Sequence, residues 1–297
     1  MSSPATGRAI NTIAVIGAGA MGTGIAQVFA MAGKAVTLVD VRPEGLANAI
    51  SGMTAILNRQ VEKGKLDAGL VRDALGRIST STDLASAVAN ADLAIEAVFE
   101  RLDIKTDLIR DLDRSLPERA IIATNTSSIS VSRLAAVARN PARVVGMHFF
   151  NPAPLMPLVE VVRGLQTSDE TVATVVALAE AAGKSPVVVN DAPGFVGNRI
   201  LVPMINEAIF TLAEGVADRD AIDQVMKLGM SHPMGPLALA DLIGLDVCLD
   251  ILEVLHHDFG DDKYRPAPLL RTMVAAGRHG KKSGQGFYDY AGGESPQ

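Results

Sequence analysis

The sequence contains one cysteine, Cys248, which excludes an intrachain disulfide and a metal site built from several thiolates. A lone thiol fits a reducing compartment, so a cytoplasmic location is expected. No stretch of about 18 consecutive apolar residues occurs, so no membrane-spanning helix is expected. The opening MSSPATGRAINT lacks the apolar core of a secretory signal. An excess of positive charge is also missing. The formal net charge is -6, which argues against a nucleic-acid partner. Internal repeats and low-complexity tracts are not found, and the final AGGESPQ reads as a short frayed tail. What is there, 297 residues of which 48% are hydrophobic and 20% charged, suffices for one large or two smaller cores.

The first part of the chain alternates short β-branched apolar runs with longer helical patterns. Strands are expected at 12–17, 35–40, 92–98, 120–125, 143–149, 158–162 and 186–190, with a shorter one at 77–80. Helical patterns fall at 20–33, 43–64, 102–115 and 169–182. Strand, helix, strand in this order reads as βαβ units and a largely parallel sheet. After NDAPGFVGNR the β-branched runs stop, and helical stretches follow at 198–214, 218–228, 236–242, 245–257 and 267–276. A boundary is therefore placed at Asp191: residues 1–191 form an α/β domain, and residues 192–297 a smaller all-helical one. The second part carries more Leu, Ile and Met than its own core needs, which points to a homodimer interface.

The first strand ends in a glycine-rich turn, Gly17-x-Gly19-x-x-Gly22, that opens a helix, and Asp40 ends the next strand. Gly17 permits the tight turn, Gly19 lets a pyrophosphate approach the backbone, and Gly22 lets helix and strand pack closely. Gly17, Gly19, Ala20, Met21 and Gly22 are the expected cradle, with the helix N-terminus facing the phosphates. Asp40 suits ribose hydroxyls and repels a 2′-phosphate, which favours NAD over NADP, while Arg42 softens that preference. Strand before, helix after and acid at the right distance make this a Rossmann-type dinucleotide signature.

Ligands of such sheets bind beyond the carboxyl ends of the strands. Polar residues stand there repeatedly: Glu96 and Glu100, then Asn125, Ser127 and Ser128, then His148 and Asn151. Of the five histidines, His256 and His257 read as a solvated helix end, His279 as surface, and His232 as part of a turn. His148 differs, because it stands near the carboxyl end of an apolar strand. Glu160 lies in another apolar run, where a buried carboxylate without a partner is costly. If the two runs pair, Glu160 holds one imidazole nitrogen and fixes the tautomer of the other. The bland alternative, Glu160 facing solvent from an edge strand, stays open at this point.

With these residues in view, the chain resembles the 3-hydroxyacyl-CoA dehydrogenases, and most of all their bacterial 3-hydroxybutyryl-CoA branch. The resemblance runs over 10–290 and is carried by VIGAGAMGTGIA, ATNTSSIS, GMHFFNPAPLMPLVEVV, DAPGFVGNRILVPMINEA, HPMGPLALADLIGLD, KYRPAPLL and KKSGQGFYDY. It implies an NAD-dependent, reversible oxidation of (S)-3-hydroxyacyl-CoA to 3-oxoacyl-CoA, with short-chain 3-hydroxybutyryl-CoA as substrate. It makes His148 and Glu160 the catalytic pair and places Ser127 and Asn198 against the substrate. It assigns Asp40, Glu100, Lys105, Ser127, Asn151 and Lys282 to NAD, and Lys63 to coenzyme A, beside Arg59 and Lys65. One departure is Ile56, where some relatives carry a serine against coenzyme A. The same His/Glu logic serves gulonate- and carnitine-type dehydrogenases, which need no CoA pocket; the complete ATNTSSIS and KYRPAPLL segments favour the CoA branch.

Overall fold

A parallel strand covered on both faces needs apolar side chains at nearly every position, and the central strands satisfy this, whereas the edge strand sequences ISTS and SPVVVN are partly exposed. In β1 (Thr12–Ile16) alternate residues join two different apolar clusters, Ile13 and Val15 in one, Ala14 and Ile16 in the other. The computed structural model describes residues 8–290; the tail expected to fray lies outside the described residues, as does most of the N-terminal stretch. The described residues divide into two compact units between Ala192 and Pro193.

In the first unit β1 is followed by α1 (Ala20–Met31), β2 (Ala35–Val39), α2 (Pro43–Glu62), α3 (Ala68–Gly76), β3 (Ile78–Ser81) and α4 (Leu84–Val88). Then come β4 (Leu93–Glu96), α5 (Leu102–Ser115), β5 (Ile121–Thr124), α6 (Val131–Ala135), β6 (Val144–Phe149), β7 (Leu158–Arg163), α7 (Asp169–Ala181) and β8 (Ser185–Asn190). The eight strands form one sheet in the order β3-β2-β1-β4-β5-β6-β7-β8. All neighbours are parallel except β6 and β7, which run antiparallel with His148 opposite Glu160. Strand order reverses between β1 and β4, which puts a ligand crevice at their carboxyl ends. The cluster on one face draws on α1, α2, α3 and α7; the other draws on α4, α5 and α6.

Three short helices went unforeseen: α3, α4 and α6. Two start at aspartates whose carboxylates accept from the first turn, Asp67 from Leu70 N–H and Asp83 from Ala85 N–H; α6 is capped by Ser130. At 9, 5 and 5 residues they are too short for a 3.6-residue period to register.

The C-terminal part of α5 is tied down by a buried carboxylate. Asp113 accepts from Arg143 Nη2 at 2.7 Å and from Arg139 Nε at 2.8 Å. Burial pushes this carboxyl up, but the two guanidinium bonds outweigh it and hold it at about 2. A carboxyl depressed in the folded state contributes stability above its unfolded value near 4 and loses it as pH falls toward 2. The contribution is on the order of 2 kcal/mol at neutral pH. Asp113→Asn is expected to lower the urea midpoint at neutral pH, and the difference from wild type shrinks as the pH is taken down toward about 3.

The second unit comprises α8 (Gly197–Ala213), α9 (Arg219–Gly229), α10 (Pro236–Ile243), α11 (Leu245–Phe259) and α12 (Pro268–Ala275). Its core gathers Val202, Ile205, Ile209, Leu237, Leu252 and Leu270. Asp241, fully buried in α10, accepts from the N–H groups of Phe287 and Tyr288 and from the Tyr290 hydroxyl, which fastens the final segment to the helices. No described helix is long and apolar enough to cross a membrane.

Candidate active site

The glycine turn follows β1 directly. Gly17 has φ +105°, a left-handed conformation that disfavours side chains, and a Cβ there would lie 2.6 Å from the Ala97 carbonyl oxygen. A Cβ on Gly22 would lie 1.8 Å from the Gly17 carbonyl oxygen, so helix and strand approach as closely as glycine allows. Gly19 is different: a Cβ there would meet nothing within 4 Å. Open space stands over the first turn of α1, whose N-terminus has no side-chain cap. This is the steric and electrostatic shape that a pyrophosphate requires.

Asp40, one residue past β2, accepts from Ala18 N–H at 2.8 Å and from Arg42 N–H at 3.0 Å. Burial pushes its carboxyl up, but these bonds and the Arg42 charge outweigh it, and the pKa lies below the usual aspartate value. The acid is thus ionised at neutral pH and braced against the glycine turn. These features fit the adenosine end of a dinucleotide.

At the carboxyl ends of β4 and β5 a cluster of polar groups closes on itself. Glu100 Oε1 accepts from Thr126 Oγ1 at 2.5 Å, Ser127 N–H at 2.9 Å, Ser128 N–H at 3.1 Å, Ser128 Oγ at 3.0 Å and Ser127 Oγ at 3.3 Å. Its other oxygen lies 3.2 Å from Lys105 Nζ. Burial pushes the Glu100 carboxyl up, but the Lys105 charge and the Thr126 and Ser127 bonds bring it below the ordinary glutamate value. Lys105 is only 1% exposed, and its ammonium also meets both oxygens of Glu96.

His148 and Glu160 are 6% and 2% exposed. The His148 Nδ1 lies 2.7 Å from Glu160 Oε2. Direct opposition across the antiparallel pair places both side chains on one face of the sheet. Glu160 therefore does not face solvent; β7 is interior, and the edge strand beyond it is β8. The Phe150 ring lies 4.7 Å from the imidazole, and Asn125 Oδ1 accepts from Phe149 N–H at 2.9 Å, joining the ends of β5 and β6. The connection between β6 and β7, which carries Asn151, is pinned by Lys184. That ammonium donates to the carbonyls of Ala153 at 2.6 Å, Met156 at 2.9 Å and Pro154 at 3.3 Å. Gly24 of α1 packs closely against Ala153 and Pro154.

The remaining expected residues are spread over other elements. Lys63 is the exposed C-cap of α2, and Arg59 and Ile56 are exposed at spacings of four and seven residues before it, on one helix face. Asn198 is the second residue of α8, half-buried and one position inside the helix rather than at its cap, which is Val196. Lys282 donates to Asp246 at 2.6 Å. His256 and His257 pair with Asp262 and Asp258 near the end of α11. Thr124, Thr126 and Lys184 were not anticipated as parts of the site. Thr124 ends β5 and Thr126 lies two residues past it, both within the ATNTSSIS segment, while Lys184 stands just before β8.

Residues 12–192 match the family model described as 3-hydroxyacyl-CoA dehydrogenase, NAD binding domain, and residues 194–290 match the 3-hydroxyacyl-CoA dehydrogenase C-terminal domain. A probable 3-hydroxybutyryl-CoA dehydrogenase of Bacillus subtilis is 56% identical over 281 residues, 95% of this chain and 98% of that protein. A 3-hydroxybutyryl-CoA dehydrogenase of Clostridioides difficile is 47% identical over 94% of this chain and 99% of its own. The crystal structure of the (S)-3-hydroxybutyryl-CoA dehydrogenase of Ralstonia eutropha superposes with a TM-score of 0.92 at 49% identity, covering 95% of this chain and all of that one. With a dinucleotide cradle and a buried His–Glu pair on its first unit, the chain belongs to the 3-hydroxyacyl-CoA dehydrogenase family.

Proposed function

We propose that this protein is an oxidoreductase that interconverts (S)-3-hydroxyacyl-CoA and 3-oxoacyl-CoA with NAD, and that its substrate is the four-carbon 3-hydroxybutyryl-CoA. The observation that carries the reading is the buried pair of His148 and Glu160 on a sheet that also builds the nucleotide cradle. NAD, when bound, supplies the hydride-accepting nicotinamide. Gly17, Gly19, Ala20, Met21 and Gly22 hold its pyrophosphate, Asp40 its adenosine ribose, and Glu100, Asn151 and Lys282 complete its site, with Lys105, 1% exposed, acting on it through Glu100. His148 takes the substrate hydroxyl proton on Nε2 as C3 is oxidised, and returns it in the reverse direction. Glu160, on Nδ1, fixes the tautomer and stabilises the imidazolium that forms. Ser127 bonds the reacting oxygen, and Asn198 bonds the substrate near its carbonyl. Lys63, with Arg59 and Lys65, meets coenzyme A.

The test is oxidation of NADH, followed by absorbance, with 3-oxoacyl-CoA of four, eight and sixteen carbons. Acetoacetyl-CoA is expected to be the best substrate. Turnover of free acetoacetate, or of gulonate or carnitine in the oxidative direction, at a rate matching the CoA thioester reaction would overturn the CoA reading. NADPH serves in the same assay as a second substrate. Removing the charge that repels a 2′-phosphate, in Asp40→Ala, is expected to shrink the preference for NADH over NADPH about tenfold or more, with Arg42 left beside the ribose. An unchanged ratio would remove Asp40 from cofactor choice. We also propose a homodimer formed through the helical unit, which the exposed Ile200, Val216, Val225, Leu228 and Met230 support. The single cysteine, Cys248, supports a cytoplasmic setting.

A further inference from the structure

We infer that Glu96 and Lys105 form a buried, charge-balanced clamp that positions Ser127 through Glu100. The inference rests on the proposed contact of Ser127 with the reacting oxygen. Glu96 is the last residue of β4 and is fully buried, while Lys105 reaches it from the first turn of α5. Neither ion is tolerable there alone, because burial removes its hydration. Together they are saturated: Lys105 Nζ meets Glu96 Oε1 at 2.8 Å and Oε2 at 2.7 Å, Thr124 Oγ1 donates to Oε1, and Val98 N–H donates to Oε2 at 3.3 Å. The same ammonium holds Glu100 Oε2 at 3.2 Å, which leaves Glu100 Oε1 to gather the Thr126, Ser127 and Ser128 donors. A continuous line of charges thus runs from the sheet to the turn that presents Ser127. Enclosed as it is, Lys105 acts on the site as a positioning residue through Glu100, and Glu96 is the member that fixes Lys105.

Two carboxylates and one ammonium make up the line. Removing only the ammonium leaves two carboxylates facing each other with no cation, a state that drives one of them to take a proton. Repulsion between the two displaces Glu100, the more exposed of them, and a proton on Glu100 costs it part of its capacity to accept; by either route the Ser127 turn is released. Removing the Glu96 charge as well leaves Glu100 as the sole carboxylate, able to keep its donors. A space-filling role predicts the opposite, since two altered side chains disturb packing more than one.

The experiment compares Lys105→Met with the double variant Glu96→Gln/Lys105→Met, measuring kcat and KM for acetoacetyl-CoA at saturating NADH and thermal melting of each chain. Lys105→Met is expected to lose about a hundredfold or more in kcat/KM, and the double variant to regain about tenfold of it. A double variant no faster than Lys105→Met, with both chains melting cooperatively, overturns the clamp. Should Lys105→Met fail to fold, Glu96→Gln alone decides. A fall in kcat of about tenfold with the KM for NADH moved less than about threefold supports the clamp, and an unchanged kcat overturns it. Wild-type turnover with a failed rescue discards the clamp alone, whereas no wild-type turnover of any 3-oxoacyl-CoA discards the parent reading with it.

Discussion

In the His148→Gln chain, reduction of acetoacetyl-CoA is expected to slow at least about a hundredfold while NADH still binds, because positioned acid–base catalysis is worth roughly 10²–10⁴-fold. The amide is similar in size to the imidazole and can still bond Glu160, so the β6–β7 pair keeps its geometry. What it cannot do is accept and release a proton near neutral pH. The proposed NADH contacts at the glycine turn and Asp40 lie on β1, α1 and β2, away from the substituted strand; of the proposed contacts only Asn151 closely follows it, two residues past its end. Fluorescence titration with NADH and single-turnover kinetics separate the two properties. Near-normal turnover would sink the acid–base assignment, and loss of NADH binding would show that the substitution disturbs more than proton transfer.

The second large effect is expected at the glycine turn. Gly22→Ala places a methyl carbon 1.8 Å from a backbone oxygen, and backbone cannot swing aside as a flexible side chain can. The first turn of α1 must move off β1, at a cost of about 3 kcal/mol or more, and NADH affinity falls by about a hundredfold. Gly19→Ala is the matched control. Its backbone, φ -72°, suits any residue, and nothing stands within 4 Å of the new carbon. Its stability should change by no more than about 0.5 kcal/mol, yet NADH should bind more weakly, since the methyl fills space reserved for the pyrophosphate. Equal melting temperatures for the two variants would show that the helix has slack that the close approach of Gly22 denies.

Much of this was legible in the chain itself. Continuous apolar runs separated by helical periods give the parallel sheet, because burial on both faces removes the alternation that marks half-exposed strands. Gly17, Gly19, Gly22 and Asp40 are readable because each answers a local steric or electrostatic need within one βαβ unit. His148 and Glu160 were legible as a question rather than an answer: two titratable groups in apolar runs imply a partner, but their facing depends on strand register, which no local signal carries. Lys105 was harder still. Its place in α5, with Asp103 and Asp107 two positions to either side, looks like a solvated position; only the fold brings Glu96 and Glu100 around its ammonium. Lys184 precedes β8 and shows no sequence link to the carbonyls it collects more than two dozen residues earlier.

The antiparallel pairing of β6 with β7 has one more implication. Side chains on a strand alternate sides, so the meeting of imidazole and carboxylate is a matter of parity along the backbone. A slip of β7 by a single residue against β6 would send the acid to the opposite face, with both side chains still present in the chain. The Lys184 ammonium and the close seat of Gly24 both hold the short β6–β7 connection, and so they keep count for the proposed chemistry.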